Sequence, residues 1–302
     1  MMDNPIALEN ETGFDRVLRF TIPDQNCRGR LLRLGPAAET ILSAHDYSPP
    51  IKMLLCEALV LTALMGALLK GDEDQLTFQI QTKSGIIELL VCDYRAGALR
   101  GYIQHDPDRV RELGANPELQ ALFNEGYLAI TFDISSSGQR YQGIVPLEGP
   151  SLSAAVEAYF AQSEQIPTLI RTGVKSTERG CVAGGILIQH LAEGEEGGER
   201  LHVRMDHPEW EHVSILANTV RHAELTDAKL SLEALVWHLF HEEREIRVDS
   251  GDFVTRGCRC SERHLEDVLS RFPSQDRKDM RDDDGLIKVD CAFCSKVFVI
   301  QD

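Results

Sequence analysis

The sequence predicts an α+β protein: a mainly antiparallel sheet packed with helices, then a helical linker and a small carboxy-terminal cysteine module. Three observations predict it. Segments of alternating apolar and polar residues recur between glycine and serine turns from residue 14 to about residue 146. Two helical stretches with a one-sided apolar stripe follow a charged, glycine-containing tract at 193–200. Four of the eight cysteines fall within residues 251–302, in two close pairs. At 302 residues the chain exceeds the ~150 of a typical domain, and the boundaries are placed at 1–195, 196–250 and 251–302.

The elements follow in order. FDRVLRFTIPDQNCRGRLLRL at 14–34 mixes apolar and β-branched residues and reads as strands interrupted at Pro23 and Gly29. From Ala37 the pattern turns helical. After Pro49 and Pro50, IKMLLCEALVLTALMGALLK carries Leu, Ala and Met at spacings of 3 and 4, a long buried helix. Its longest apolar run, Ala58 to Leu69, has 12 residues against the roughly 20 needed to cross a bilayer, so no membrane span is expected. LTFQIQTKSG and IIELLVCDYRAG form a hairpin around Lys83-Ser84-Gly85, and LRGYIQHD, YLAITFDISS and QRYQGIVPLEG are further strands. SLSAAVEAYFAQSEQ at 151–165 presents Leu152, Ala155, Val156, Tyr159 and Phe160 on one helical face and stops before Pro167. CVAGGILIQHLAEG is the last strand of this unit.

EGEEGGER at 193–200 is too charged and too glycine-rich to bury much, which marks a flexible boundary. Beyond it, HPEWEHVSILANTVRHAEL and LSLEALVWHLFHEERE are amphipathic. In the second, Leu232, Leu235, Val236, Leu239 and Phe240 make one stripe after a Ser231 cap. Such a stripe needs a partner, most simply the sheet of the first domain; uncovering it would expose a binding patch. Amphipathic helices are otherwise ordinary core.

Charge and termini bound the function. The net charge of −17 repels phosphate backbones, and residues 258–302 hold 8 Lys or Arg against 10 Asp or Glu, so no nucleic-acid partner is expected. The amino terminus lacks a basic region before an apolar run, which gives the expectation of a cytoplasmic protein with reduced thiols. Walker, dinucleotide and G-x-S-x-G signatures are absent, so no enzyme is expected. No H-E-x-x-H occurs, and Asp282 to Asp284 lacks the alternating ligands of a calcium loop.

Clustered cysteines in a reducing compartment point to metal or redox chemistry. Cys258-Arg259-Cys260 and Cys291-Ala292-Phe293-Cys294 are separated by 30 residues. Two such pairs converge on a tetrahedral all-thiolate site, which Zn²⁺ accepts. A unit of about 50 residues has little core, so the metal would supply much of its folding energy. Spacing alone does not separate a static zinc knuckle from a switch. A Cys-x-Cys pair is uncommon in purely structural ribbons, and vicinal thiols close into disulfides when an oxidant removes the metal. His264, four residues past Cys260, is read as a surface residue beside a complete thiolate set. Cys27, Cys56, Cys92 and Cys181 are scattered and are read as small hydrophobes.

RGRLLRLGPA at 28–37, VCDYRAGALRGY at 91–102, YQGIV at 141–145, SEQIPT at 163–168 and AGGILIQ at 183–189 join the cysteine pattern in carrying a resemblance over nearly the whole chain. The sequence resembles the 33 kDa chaperonin family, the redox-regulated holdase chaperones of bacteria. The resemblance implies that Cys258, Cys260, Cys291 and Cys294 bind one Zn²⁺ in a reduced, inactive state. It implies oxidation to Cys258–Cys260 and Cys291–Cys294 disulfides with zinc release and unfolding of the linker. By the same resemblance the active form is a homodimer that binds unfolding clients without ATP and passes them to ATP-dependent foldase chaperones. A thiol–disulfide oxidoreductase using Cys291 and Cys294, or a static structural zinc protein, is the alternative.

Overall fold

The computed structural model describes residues 13–114, 117–177, 180–191 and 207–300. Pro23, which has no N–H to give to a ladder, ends β1 (Arg16–Ile22) in a 3₁₀ turn, and β2 (Cys27–Leu34) returns beside it. The expected interruption at Gly29 does not occur. Gly29 pairs directly opposite Phe20, whose ring fills the place of a side chain: a Cβ there would lie 2.0 Å from a ring carbon. The glycine is thus kept inside the strand by an aromatic neighbour.

Helix α1 (Pro36–Leu42) starts where the Asp15 carboxylate accepts the N–H groups of Gly35 and Ala37, both at 2.9 Å. Helix α2 (Pro49–Gly66) is apolar on nearly every side and is buried accordingly. It is long and apolar enough to cross a membrane, yet it forms the centre of the protein, with a sheet on either side. Strands β3 (Gln75–Thr82), β4 (Ile87–Arg95) and β5 (Ala98–His105) follow, with the hairpin turn where the sequence predicts it. Short helices α3 (Pro107–Arg111) and α4 (Leu119–Phe123) lead to β6 (Gly126–Ile134) and β7 (Gln139–Pro146). Ser151 caps α5 (Leu152–Tyr159) through its hydroxyl, and a π turn carries the chain to Glu164. Strand β8 (Thr168–Thr177), which the sequence reading passes over, pairs with β9 (Gly180–His190).

The amphipathic segment forms α6 (Pro208–Ala217), α7 (His222–Leu225) and α8 (Leu232–Phe240). Then come β10 (Arg247–Phe253), β11 (Thr255–Arg256), α9 (Glu262–Leu269), α10 (Ser274–Asp279) and a hairpin of β12 (Ile287–Asp290) and β13 (Val297–Ile300). One antiparallel sheet has the order β10-β1-β2-β9-β8 and the other β11-β5-β4-β3-β6-β7, with only β11, among the described residues, parallel to its neighbour. The boundary placed at 195/196 lies outside the described residues. The one at 250/251 falls inside β10, which belongs to the first sheet.

Both faces of the first sheet are covered. Val17, Leu32 and Leu34 point to α2, whereas Leu18, Phe20 and Leu31 join a second apolar cluster with α6 to α8. The cysteine module has a core of its own with four buried side chains, Leu269, Ile287, Phe298 and Ile300.

Candidate metal centre and its docking

Two chain segments deliver the four thiols. Cys258 and Cys260 follow β11, where the Gly257 N–H donates to the Leu99 carbonyl at 2.8 Å, so the first pair leaves directly from the second sheet. Cys291 and Cys294 occupy the turn of the β12–β13 hairpin. The Cys294 and Ser295 N–H groups both donate to the Cys291 carbonyl, at 3.1 and 2.8 Å, and Ser295 takes a left-handed φ of 56°. The four Sγ atoms lie within 4.8 Å of one another. Cys258 is 3.3 Å from Cys260 and 3.5 Å from Cys291, and Cys260 is 3.5 Å from Cys294. A tetrahedral ion with Zn–S bonds of roughly 2.3 Å places its sulfurs about 3.8 Å apart, so the donor set fits one zinc.

The thiols share their protons unevenly. Burial pushes Cys258 up, but the Cys260 N–H and hydrogen bonds shared with the thiols of Cys260, Cys294 and Cys291 bring it down to about 7. Burial and the shared hydrogen bonds with Cys258, Cys294 and Cys291 push Cys260 up, and Cys291 rises as well, burial again leading. The first thiolate of the metal-free cluster therefore forms at Cys258.

Residues between the cysteines attach the module to the second sheet. The Phe293 ring, inside Cys-x-x-Cys, meets Tyr102 edge to face at 4.9 Å, and the Arg100 guanidinium carbon stands 3.9 Å from its centroid. Arg259, inside Cys-x-Cys, reaches the buried Asp93 at 3.4 Å, and Asp93 also holds Arg100 at 2.6 Å. Ser295 Oγ lies 3.4 Å from His45 Nδ1. The sequence reading passes over Arg259 and Phe293. Their signal is positional: a large side chain between two ligands must point away from the ion.

The first sheet holds the helical segment by its outer face. Leu232, Leu235, Val236, Leu239 and Phe240 are all buried in one cluster with Leu18, Phe20, Leu31, Ile186 and Ile188. Phe240 lies 5.8 Å from Phe20, the ring that covers Gly29. Arg33 is fully buried, and its guanidinium donates to the carbonyls of Leu225, Leu230 and Glu224 at 2.9, 2.9 and 3.1 Å. Helix α7 approaches the sheet over glycines: a Cβ at Gly184 would stand 2.1 Å from the Leu225 carbonyl oxygen, and one at Gly173 2.9 Å from that of His222. Gly185, the next residue, faces Val60 of α2 instead. Arg16 pairs with Glu233 at 3.0 Å on the rim.

The other cysteines are buried. Burial, with Glu209 and Glu243 nearby, pushes Cys27 up to about 12, and burial raises Cys92 further. Cys56 of α2 and Cys181 of β9 influence each other's thiols, which raises Cys56 and lowers Cys181. His264 is exposed and its N–H donates to the Ser261 cap of α9. Asp282 opens an exposed turn in which its carboxylate accepts from the N–H groups of Asp284 and Leu286, both at 3.1 Å, and pairs with Lys288.

A helical segment laid on one sheet and a four-thiol knuckle laid on the other define an α+β protein with a cysteine module, able to hold a metal ion, docked on its body. A family model described as Hsp33 protein matches residues 15–301. A 33 kDa chaperonin of Caulobacter vibrioides is 37% identical over 292 residues, covering 94% of each chain. One of Shigella boydii is 32% identical over 288 residues, 94% of this chain and 91% of the other. The crystal structure of a 33 kDa chaperonin of Thermotoga maritima superposes with a TM-score of 0.76 at 20% identity, covering 95% of this chain and 94% of that one. The chain belongs to the Hsp33 family of chaperones.

Proposed function

We propose that this protein is a redox-regulated, ATP-independent holdase of the cytoplasm, divided into a body (1–195), a linker (196–250) and a switch module (251–302). Cys258, Cys260, Cys291 and Cys294 hold one Zn²⁺ in the reduced, resting form. When bound, the ion supplies a cross-link between two segments whose own core is four side chains.

An oxidant such as hypochlorous acid takes two electrons from each thiol pair. Two protons leave with each pair as the Cys258–Cys260 and Cys291–Cys294 disulfides form. The thiols are then withdrawn as ligands, and the turns that aim Phe293 and Arg259 at the sheet lose their anchor. Release passes along the chain through β11 and β10 to α8, which frees the stripe from Leu232 to Phe240 for unfolding clients. The active form is a homodimer, and clients pass from it to ATP-dependent foldases.

One observation carries this reading: side chains lying between the metal-binding cysteines also dock the module, so loss of the thiolates is loss of the dock. The oxidoreductase alternative is disfavoured because Cys291 and Cys294 sit in a hairpin turn, not at a strand-to-helix junction. Zinc release into a colorimetric chelator, followed together with light scattering of a heat-denaturing client, tests the reading. About one zinc per chain should leave as aggregation suppression appears on hypochlorous acid treatment. Retained zinc with no gain of activity leaves a static knuckle.

A further inference from the structure

We infer that His190, His207 and Glu209 form a second divalent-metal site, free of thiols, that joins the end of β9 to the start of α6. The three residues come from two places in the fold. His190 is the last residue of β9 and only 3% exposed; His207 is the residue that caps α6, and Glu209 lies in its first turn.

Their donor atoms converge. Glu209 Oε2 lies 3.5 Å from His190 Nε2 and 3.6 Å from His207 Nδ1, and all three atoms fall within 4.8 Å of one another. Good hydrogen bonds to nitrogen measure about 2.7–3.2 Å, and these are longer. An ion with bonds of roughly 2.0–2.2 Å to nitrogen and oxygen spaces tetrahedral ligands about 3.4 Å apart, which the two carboxylate–imidazole separations match.

Independent signs point to a ligand. His207 Nδ1 is buried and has no hydrogen-bond partner among the described residues, although it faces the carboxylate. His190 Nδ1, on the far side of its ring, is likewise buried and without such a partner. The two imidazoles lie side by side with centroids 4.9 Å apart, an arrangement that brings two lone pairs to one point. Asn26 donates to the same Glu209 Oε2 at 3.0 Å and holds the carboxylate in place.

Two imidazoles and one carboxylate select borderline ions such as Zn²⁺, Co²⁺ or Ni²⁺ over Ca²⁺ and Mg²⁺, and three protein ligands leave a fourth position for water. An ion there ties the start of α6 to the end of β9 in the first sheet. The site shares no residue with the cysteine centre and does not depend on the holdase reading.

Calorimetric titration of Zn²⁺ into the reduced full-length protein, already carrying one zinc per chain, tests the site at pH 7.5, where imidazoles are mostly neutral. A second equivalent is expected, and Co²⁺ in its place should give d–d absorption without thiolate charge-transfer bands. At about a hundredfold excess over the dissociation constant, hydrogen exchange across 208–217 should slow by up to roughly a hundredfold. His207→Ala and the size-conserving Glu209→Gln, each checked by circular dichroism for an unchanged fold, should weaken the second equivalent at least tenfold. Saturation at one zinc per chain overturns the inference. So does a second equivalent unchanged in both variants, which would be an adventitious ion only, held by other histidines.

Discussion

Gly184→Ala is expected to release the helical segment without oxidant. The added Cβ stands 2.1 Å from the Leu225 carbonyl oxygen and 2.8 Å from its carbon, whereas an ordinary contact is at least 3.4 Å, so α7 must retreat by about 1.3 Å. The obstacle is backbone and cannot rotate away. A retreat of that size stretches the 2.9 Å contacts of Arg33 with Leu225 and Leu230 beyond 4 Å, leaving a buried guanidinium short of acceptors. Overpacking costs roughly 1–3 kcal/mol and each charged hydrogen bond about 1.5–3 kcal/mol. Even a loss of ~3 kcal/mol shifts the docked-to-undocked ratio more than a hundredfold. The contact with α2 is made by Gly185, so the body keeps its packing. The assay is hydrogen exchange of the reduced, zinc-loaded variant with light scattering of a heat-denaturing client. Exchange should rise across 207–240 but not across 75–146, and aggregation should be suppressed. Unchanged protection of the helices would refute the steric argument; lost protection without suppression would refute the link between undocking and activity.

Leu235→Ser combined with Leu239→Ser removes two buried side chains at about 3 kcal/mol each and should likewise give activity in the reduced state, by the same scattering assay; a fully inactive reduced protein counts against it. Phe293→Ala deletes the edge-to-face and cation–π contacts, worth about 1–3 kcal/mol together, and should speed exchange in β10 and β11 while zinc stoichiometry stays at one per chain. In the metal-free reduced protein, alkylation mapped by mass spectrometry should mark Cys258 before Cys260. Because the Cys258 thiol is lowered to about 7, its thiolate grows as pH rises through that value, and its rate should be half-maximal near pH 7. A single rise near the ordinary thiol range for all four cysteines would contradict the shared-proton arrangement.

Features with local causes were legible in the sequence. The Lys83-Ser84-Gly85 turn, the buried helix after Pro49 and Pro50, and the Ser231 cap before the Leu232 stripe all declare themselves through neighbouring residues. Features with remote causes were not. TLIRTGVKST becomes a strand because β9 supplies its partner, and Gly173 in its middle exists for α7, not for a turn. RVDSGDF has almost no apolar pattern, since an edge strand needs only one neighbour, here β1. Gly29 reads as a break until Phe20 is seen across the ladder. At the cysteine centre, spacing singled out the four thiols that the structure brings together, but Asp93, Arg100 and Tyr102 lie about 160–200 residues away in sequence and could only be paired with Arg259 and Phe293 in three dimensions.

The path from α8 to the cysteines runs through two outermost strands, one on each sheet. β10 lies at the margin of the first sheet and β11 at the margin of the second, and only the buried Val254 separates them. Strands so placed peel away one hydrogen bond at a time, with no sheet torn in the middle. Their departure would leave a row of unsatisfied N–H and C=O groups along β1 from Arg16 to Thr21, and lengthen the open edge of β5 by Ala98 and Leu99. Such rows accept any extended chain, because backbone pairing ignores side-chain identity. Beside a freshly bared apolar face, they would offer a misfolding polypeptide a template as well as a greasy surface, which suits the proposed holdase, whose clients share disorder and not a sequence.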